Sequence, residues 1–159
     1  MNLRRIQGFT LVELIVVILL LAIISAYAAS RFSGRGDVAA AVLQHQVVSV
    51  VRQVQVNRMQ SNITASAALA SNQNFTLDVE TRCVGSEAAC SQRSDSRSDW
   101  VSSELVRFSS APSAPIRFDL LGNPVGNAAS GASISIISSE ETCQVTINAQ
   151  GYVSLGGCS

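Results

Sequence analysis

The chain has 159 residues, 47% of them hydrophobic and only 14% charged, against about a quarter charged in an average soluble domain. Eleven basic residues, all Arg, balance eleven acidic ones. A net-zero chain has no bulk attraction for nucleic-acid phosphates, so no specific nucleic acid is inferred as a partner, and the composition excludes collagen, continuous coiled coil and wholesale disorder.

The apolar excess is gathered at the N-terminus. From Phe9 to Ala29 the sequence FTLVELIVVILLLAIISAYAA carries one charge, Glu13. As a helix rising about 1.5 Å per residue this run reaches roughly 31 Å, close to the thickness of a bilayer hydrocarbon core. Arg4 and Arg5 precede it, which favours a cytoplasmic N-terminus, and Arg31 and Arg35 follow it. All four cysteines, Cys83, Cys90, Cys143 and Cys158, lie downstream of the span. An even cysteine count in an exported region reads as two disulfides in an oxidising compartment, with three full pairings open.

Two readings of this N-terminus compete. A secretory signal peptide would use the basic start, the apolar run and the small-x-small site Ala26-Tyr27-Ala28, with cleavage releasing a soluble periplasmic protein. The apolar run exceeds the usual h-region of about 7–15 residues, and an intramembrane acid costs on the order of 2.5–3.5 kcal/mol, which a discarded segment has no reason to carry. The second reading uses the residues that spoil the first. Gly8-Phe9-Thr10-Leu11-Val12-Glu13 runs from the polar leader straight into the span. This segment resembles the N-terminus of type IV pilins and type II secretion pseudopilins, in which a short basic leader ends in Gly, the mature chain starts with Phe, and its fifth residue is Glu.

The resemblance implies several roles. A membrane prepilin peptidase would cut between Gly8 and Phe9 and N-methylate Phe9; Gly8, lacking a Cβ, lets the scissile backbone approach an active site closely. Residues 1–8 are then the leader, 9–30 the transmembrane half of a long helix, and 31–159 a periplasmic head that includes the helix's amphipathic half. Glu13 would pair with a Phe9 amine, in its own or a neighbouring subunit, and set subunit register; snorkelling at the membrane edge is the plainer alternative. The implied partners are other pilin subunits, through the N-terminal helix, the prepilin peptidase, and an inner-membrane assembly platform. The implied location is a single pass of the inner membrane with the head periplasmic, and afterwards a pilus at the cell surface.

The helical pattern continues past the span. Val38, Val42, Leu43, Val47, Val50, Val51 and Val54 recur at helical spacing, with Gln44, Gln53 and Gln55 among the intervening polar positions. The expectation is one helix from about Phe9 to Asn62, with a weak joint at Ser33–Gly36, where Gly34 and Gly36 each cost about 1 kcal/mol relative to Ala. Thr64–Asn74 reads as a loop or frayed end, and Phe75–Glu80 as a strand by alternation. Cys83 and Cys90 bracket a short loop. Gln92–Asp99 has alternating charges and reads as a solvated excursion; a Ca²⁺ site on Asp95 and Asp99 is opposed by the interleaved Arg residues. Trp100 follows and anchors the returning chain.

The last third reads as strands at Glu104–Phe108, Ile116–Leu120, Ala132–Ser138, Cys143–Asn148 and Tyr152–Leu155, separated by turn signals at Gly122-Asn123-Pro124 and Ala149-Gln150-Gly151. The fold class expected is α+β, a long N-terminal helix packed on a C-terminal antiparallel sheet, which is also the pilin fold the resemblance implies. In a hairpin the numbers of opposed residues add to a constant, about 300 for a turn centred near residue 150. Cys143 and Cys158 miss that constant by one, so they lie opposite if a single bulge intervenes. The pairing expected is Cys143–Cys158, leaving Cys83–Cys90; pairings that tie the short loop to the hairpin stay geometrically possible.

No nucleophile elbow, phosphate loop or zinc-hydrolase motif is present, and His45, alone on a helix face, carries no catalytic signal. The chain is therefore read as a non-enzyme without cofactor or metal. Ser25–Phe32 and Arg52–Asn62 resemble minor pilins of mannose-sensitive haemagglutinin pili. Ile116–Pro124 is similar to a strand and turn found in minor pilins and in pseudopilins of type II secretion. Four cysteines favour a minor over a major pilin.

Overall fold

The computed structural model describes residues 10–32, 35–63 and 72–159. The leader with Gly8 and Phe9, the joint residues Ser33 and Gly34, and most of the loop expected at 64–74 lie outside the described residues. The chain divides into two compact units, Met1–Arg35 and Gly36–Ser159.

The first unit contains helix α1, Leu11–Phe32. The second begins with helix α2, Arg35–Met59, whose first residue falls at the division between the units. The expected single helix is thus described as two. Gly36, assigned to the joint, lies inside α2, where a helix of 25 residues tolerates the cost of one glycine.

Among the described residues nine strands follow: β1 (Thr76–Glu80), β2 (Cys83–Ser86), β3 (Trp100–Ser102), β4 (Arg107–Ala111), β5 (Ile116–Phe118), β6 (Pro124–Val125), β7 (Gly131–Ile137), β8 (Thr142–Asn148) and β9 (Val153–Cys158), with a short helix α3 at Glu87–Gln92. The α+β class and antiparallel pairing are as expected, but the strands form two sheets where one was anticipated. One has the order β3-β2-β1-β5-β6 and the other β4-β7-β8-β9. Among the described residues the chain crosses from one sheet to the other three times, between β3 and β4, between β4 and β5, and between β6 and β7; β4 and β5 are joined through Pro112 and Pro115. Proline has no N–H for a ladder, so those two strands cannot close as a simple hairpin and each pairs elsewhere. β2, β3 and β6 were not anticipated, β2 taking the place of part of the loop expected between Cys83 and Cys90, and the strand expected from Glu104 begins at Arg107, three residues later.

The core lies between α2 and the sheets. Val47, Val51 and Val54 of α2 meet Leu77, Ile116 and Phe118 of the first sheet and Ile134, Ile136, Val145 and Ile147 of the second, all buried. Alternation along β7 and β8 is regular: Ala132, Ile134 and Ile136 face in, as do Cys143, Val145 and Ile147, the period-2 signature of a sheet with one dry face.

The α2 stripe differs from the expected one. Val42 is 49% exposed, whereas Gln44, Gln55 and Arg58 are buried. These polar side chains hold sheet backbone. Gln44 Nε2 donates to the carbonyls of Gln144 and Gly156 at 2.6 and 2.9 Å, and Gln55 Nε2 donates to those of Gly122 and Gly151 at 2.9 and 2.8 Å. Arg58 Nε reaches the Phe118 carbonyl at 3.2 Å, and Arg52 Nη2 the Val153 carbonyl at 2.9 Å. Gly151 takes φ +78°, and a Cβ there would collide with the Gly122 carbonyl, so the β8–β9 turn can sit against the β5–β6 turn only as glycine.

Both disulfides form, Cys83–Cys90 and Cys143–Cys158. Val145↔Leu155, Thr146↔Ser154 and Ile147↔Val153 keep one register, which shifts by one residue before Cys143↔Cys158. The bulge required by the numbering is present. Cys90 corrects its expectation: it sits in α3, buried with Ala88 and Ala89, not in a surface loop. Ser86 begins that helix by accepting from the Ala89 N–H, a sequence-local N-cap.

β9 is an edge strand held by its ladder to β8, by Gln44 and Arg52, and by the disulfide. Removing the bond with Cys143→Ala/Cys158→Ala should cost about 3 kcal/mol by loop-closure entropy. Hydrogen exchange should then show the Val153–Cys158 amides opening first. Unchanged protection of β9 would mean that the helix contacts alone hold the strand.

Candidate functional site

Helix α1 starts at Thr10. Its Oγ1 accepts from the Glu13 N–H at 3.2 Å and its carbonyl from the Leu14 N–H at 3.2 Å. This is N-cap geometry, with Glu13 three residues on in the first turn, where a carboxylate complements the positive end of the helix dipole. The Thr-x-x-Glu spacing before an apolar run is a capping signal legible in adjacent residues, and it gives Glu13 a local role beside the register role the resemblance implies. Glu13 is exposed.

From Leu14 to Ala28 α1 is apolar apart from Ser25. Each large apolar residue from Leu11 to Ile24 is exposed, from 43% at Ile15 to 74% at Leu11. A helix hydrophobic all round is one meant for a fully apolar surrounding, lipid or packed helices. At 22 residues α1 is long and apolar enough to cross a membrane. Ser25 does not spoil this surface, since its hydroxyl donates back to the Leu21 carbonyl at 2.7 Å.

Residues 3–29 match the Prokaryotic N-terminal methylation motif. This is the type IV pilin-like prepilin signal. The matched segment covers Gly8, Phe9, the Thr10 cap, Glu13 and most of α1. The prepilin motif implies processing by a prepilin peptidase and assembly with other pilin subunits, and its apolar helix points to membrane anchoring. The chain matches no curated protein and no solved structure.

In the head, the segment read as a solvated excursion is in part a buried anchor. Asp99 is only 5% exposed. Arg97 grips its carboxylate with a fork, Nε to Oδ1 at 3.0 Å and Nη2 to Oδ2 at 2.7 Å, and the Ser86 hydroxyl also donates to Oδ2. The Asp99 backbone carbonyl accepts from Ser86 N–H at 3.0 Å. The Arg97 cation on both oxygens opposes a Ca²⁺ ion at Asp99. The sequence hid this because an Arg-x-Asp pair in a polar run looks alike whether wet or dry. Gly85 is the clue that could have been used: a side chain there would strike Trp100 and the Asp99 carbonyl, so β2 and the returning chain must touch.

Beside the pair lies an open polar cleft of about 570 Å³ lined by Gln53, Asn57, Asn74, Phe75, Arg97 and Asp99 among others. Its lining carries amides and hydroxyls. His45 is exposed on α2. Among the described residues, the only grouping of metal-type ligands is Glu141, Cys143 and Cys158, whose sulfurs are tied in a disulfide.

Burial pushes the Asp99 carboxyl up, but the Arg97 and Ser86 hydrogen bonds and the Arg97 charge outweigh it and hold it below its ordinary value. A depressed carboxylate stabilises the fold above its unfolded value near 3.9 and loses that contribution as pH falls through its folded value. Arg97→Ala should therefore cost about 2 kcal/mol at pH 7, less than the ~3–5 of a fully buried broken pair because the Arg97 side chain is 25% exposed. In urea titrations the gap between wild type and variant should narrow below about pH 4. A gap constant down to pH 3 would assign the loss to packing and not to the charge pair.

Proposed function

We propose that the chain is a minor pilin, a structural subunit or assembly initiator of a membrane-anchored type IV filament, of the kind of the minor pilin MshC of mannose-sensitive haemagglutinin pili. The observation that carries this reading is the prepilin motif at residues 3–29 running directly into a helix with its apolar surface uncovered. In this reading residues 1–8 are removed, 9–30 hold the chain in the inner membrane and then in the filament core, and 31–159 are the periplasmic head. The pseudopilin of a type II secretion system is the alternative; the Ile116–Pro124 strand and turn fits either. In the structure Asp119 organises that turn, accepting from the Leu121 and Asn123 N–H groups at 2.8 Å each.

The chemistry of the new N-terminus supports the role given to Glu13. Cleavage after Gly8 creates a cationic amine on Phe9, one residue before the Thr10 cap. A cation at a helix N-terminus opposes the helix dipole. A carboxylate in the first turn offsets it, in the same chain or the next one. Loss of one partner from a pair in an apolar surrounding leaves the other uncompensated, at a cost of about 3–5 kcal/mol.

Two experiments test the reading. Mass spectrometry of the membrane-extracted protein should find a mature chain starting at N-methyl-Phe9, and Gly8→Val should leave an uncut precursor in the inner membrane. A wild-type chain starting at Ala29 would instead establish signal-peptide cleavage and a soluble protein. Glu13→Val should insert and be cut normally yet be recovered in sheared filaments at least tenfold less than wild type. Equal recovery would remove Glu13 from the assembly step.

A further inference from the structure

The β8–β9 hairpin holds an arrangement that neither the filament role nor the fold requires. Cys143 is fully buried, whereas Cys158, its disulfide partner, is exposed. Glu141 precedes Cys143 by two residues and is fixed by the Ser138 turn: its N–H donates to Ser138 Oγ at 3.0 Å, and its carbonyl accepts from the Ser138 N–H and hydroxyl at 2.9 and 3.0 Å. The carboxylate is thereby turned toward the sulfurs, one of its oxygens and both Sγ atoms lying within 4.8 Å of one another. Glu141 Oε1 is buried and has no hydrogen-bond partner among the described residues. From the other side, Gln44 Oε1 stands 3.9 Å from Cys158 Sγ.

A disulfide offers no donor to either oxygen. An unpaired buried acceptor is destabilising, a charged one more so. The dithiol removes the conflict, because each S–H is a donor. On reduction the sulfurs also move from bonding distance to van der Waals contact, which gives them room to approach the oxygens. The pocket is thus built for the thiol that precedes the bond.

We propose that Glu141 is the proton acceptor for closure of the Cys143–Cys158 disulfide. Cys158, being exposed, reacts first: its thiolate attacks one sulfur of a disulfide oxidant, that S–S bond breaks, and one half of the oxidant leaves as a thiolate, giving a mixed disulfide on Cys158. The buried Cys143 thiol must then ionise where water does not reach. Its proton passes to the Glu141 carboxylate, the Cys143 thiolate attacks Cys158 Sγ, and the second half of the oxidant leaves with the electron pair and is protonated. Two thiols have been oxidised to one disulfide and one disulfide oxidant reduced to two thiols. The thiolate is the nucleophile in such exchange, so a positioned base accelerates the buried step. This inference stands apart from the filament reading, since it rests on the head alone.

The test uses the full chain in detergent micelles, reduced without denaturant and reoxidised with glutathione disulfide at pH 7, with alkylation quenching and peptide mass spectrometry. In Glu141→Gln the glutathione adduct should accumulate on Cys158 and closure of Cys143–Cys158 should slow at least a hundredfold, the lower end of the 10²–10⁴ range typical of positioned proton transfer. Cys83–Cys90, without such a carboxylate, should close at the wild-type rate in the same tube. Raising the pH to about 9, above the ordinary thiol value of about 8.5, should restore closure in the variant. Glu141→Asp should fall between the two. Equal closure rates at pH 7, a deficit that persists at pH 9, equal slowing of Cys83–Cys90, or an adduct carried on Cys143 would each overturn the proposal.

Discussion

Strand ends and turns leave backbone carbonyls without ladder partners, and a carbonyl buried dry costs as much as a lost hydrogen bond. In this head the burden falls on helix α2. Gln44, Arg52, Gln55 and Arg58 each extend a side chain to carbonyls that the two sheets cannot satisfy among themselves. The two amides each spend both N–H bonds on two separate backbone segments: β8 with β9 for Gln44, and the β5–β6 turn with the β8–β9 turn for Gln55. Gln55 therefore ties the first sheet to the second. The valines of α2 supply apolar area, which is not directional, whereas the amides fix which carbonyl meets which rung of the helix.

That division explains what could be read from the residues. Period-2 alternation in β7 and β8 and the Gln150-Gly151 turn were legible because one dry face leaves a plain pattern, and the disulfide register followed from arithmetic on that turn. The buried face of α2 was only half legible. Gln44 and Gln55 look like solvent positions by type, and their burial depends on carbonyls more than sixty residues away in sequence. The same holds for Asp99, whose partners Arg97 and Ser86 lie on either side of a fold-back. Two sheets were read as one because alternation reports a strand's faces and says nothing about its neighbours. At the N-terminus the reverse happened. The membrane span and the prepilin signal are local features, fully written in adjacent residues, and they survive without any tertiary context.

The two units differ in how complete they are. The head fills its own core from α2 and the two sheets. Its three polar devices, the α2 ladder, the Arg97–Asp99 anchor and the Asp119 turn, are all closed within the head. Helix α1 is the opposite case. Its capped start satisfies local backbone, but its apolar surface has no cover, and at about 25 cal/mol per Å² such a surface does not stay in water.

Lipid can cover it, and so can other helices of the same kind. Between those two states apolar contact changes little, because lipid tails are as apolar as leucine. Hydrophobicity therefore anchors α1 without choosing where along a neighbour it stops. In the filament reading that choice needs an interaction with a position, and there the carboxylate of Glu13 in the first turn would supply one by pairing with the amine that cleavage after Gly8 would create on Phe9. The pairing is short-ranged and directional in a low dielectric, so a slip of one turn, about 5.4 Å, forfeits it almost entirely. In that reading an apolar helix with one carboxylate near its start would leave lipid at little cost and still lock at a single axial offset.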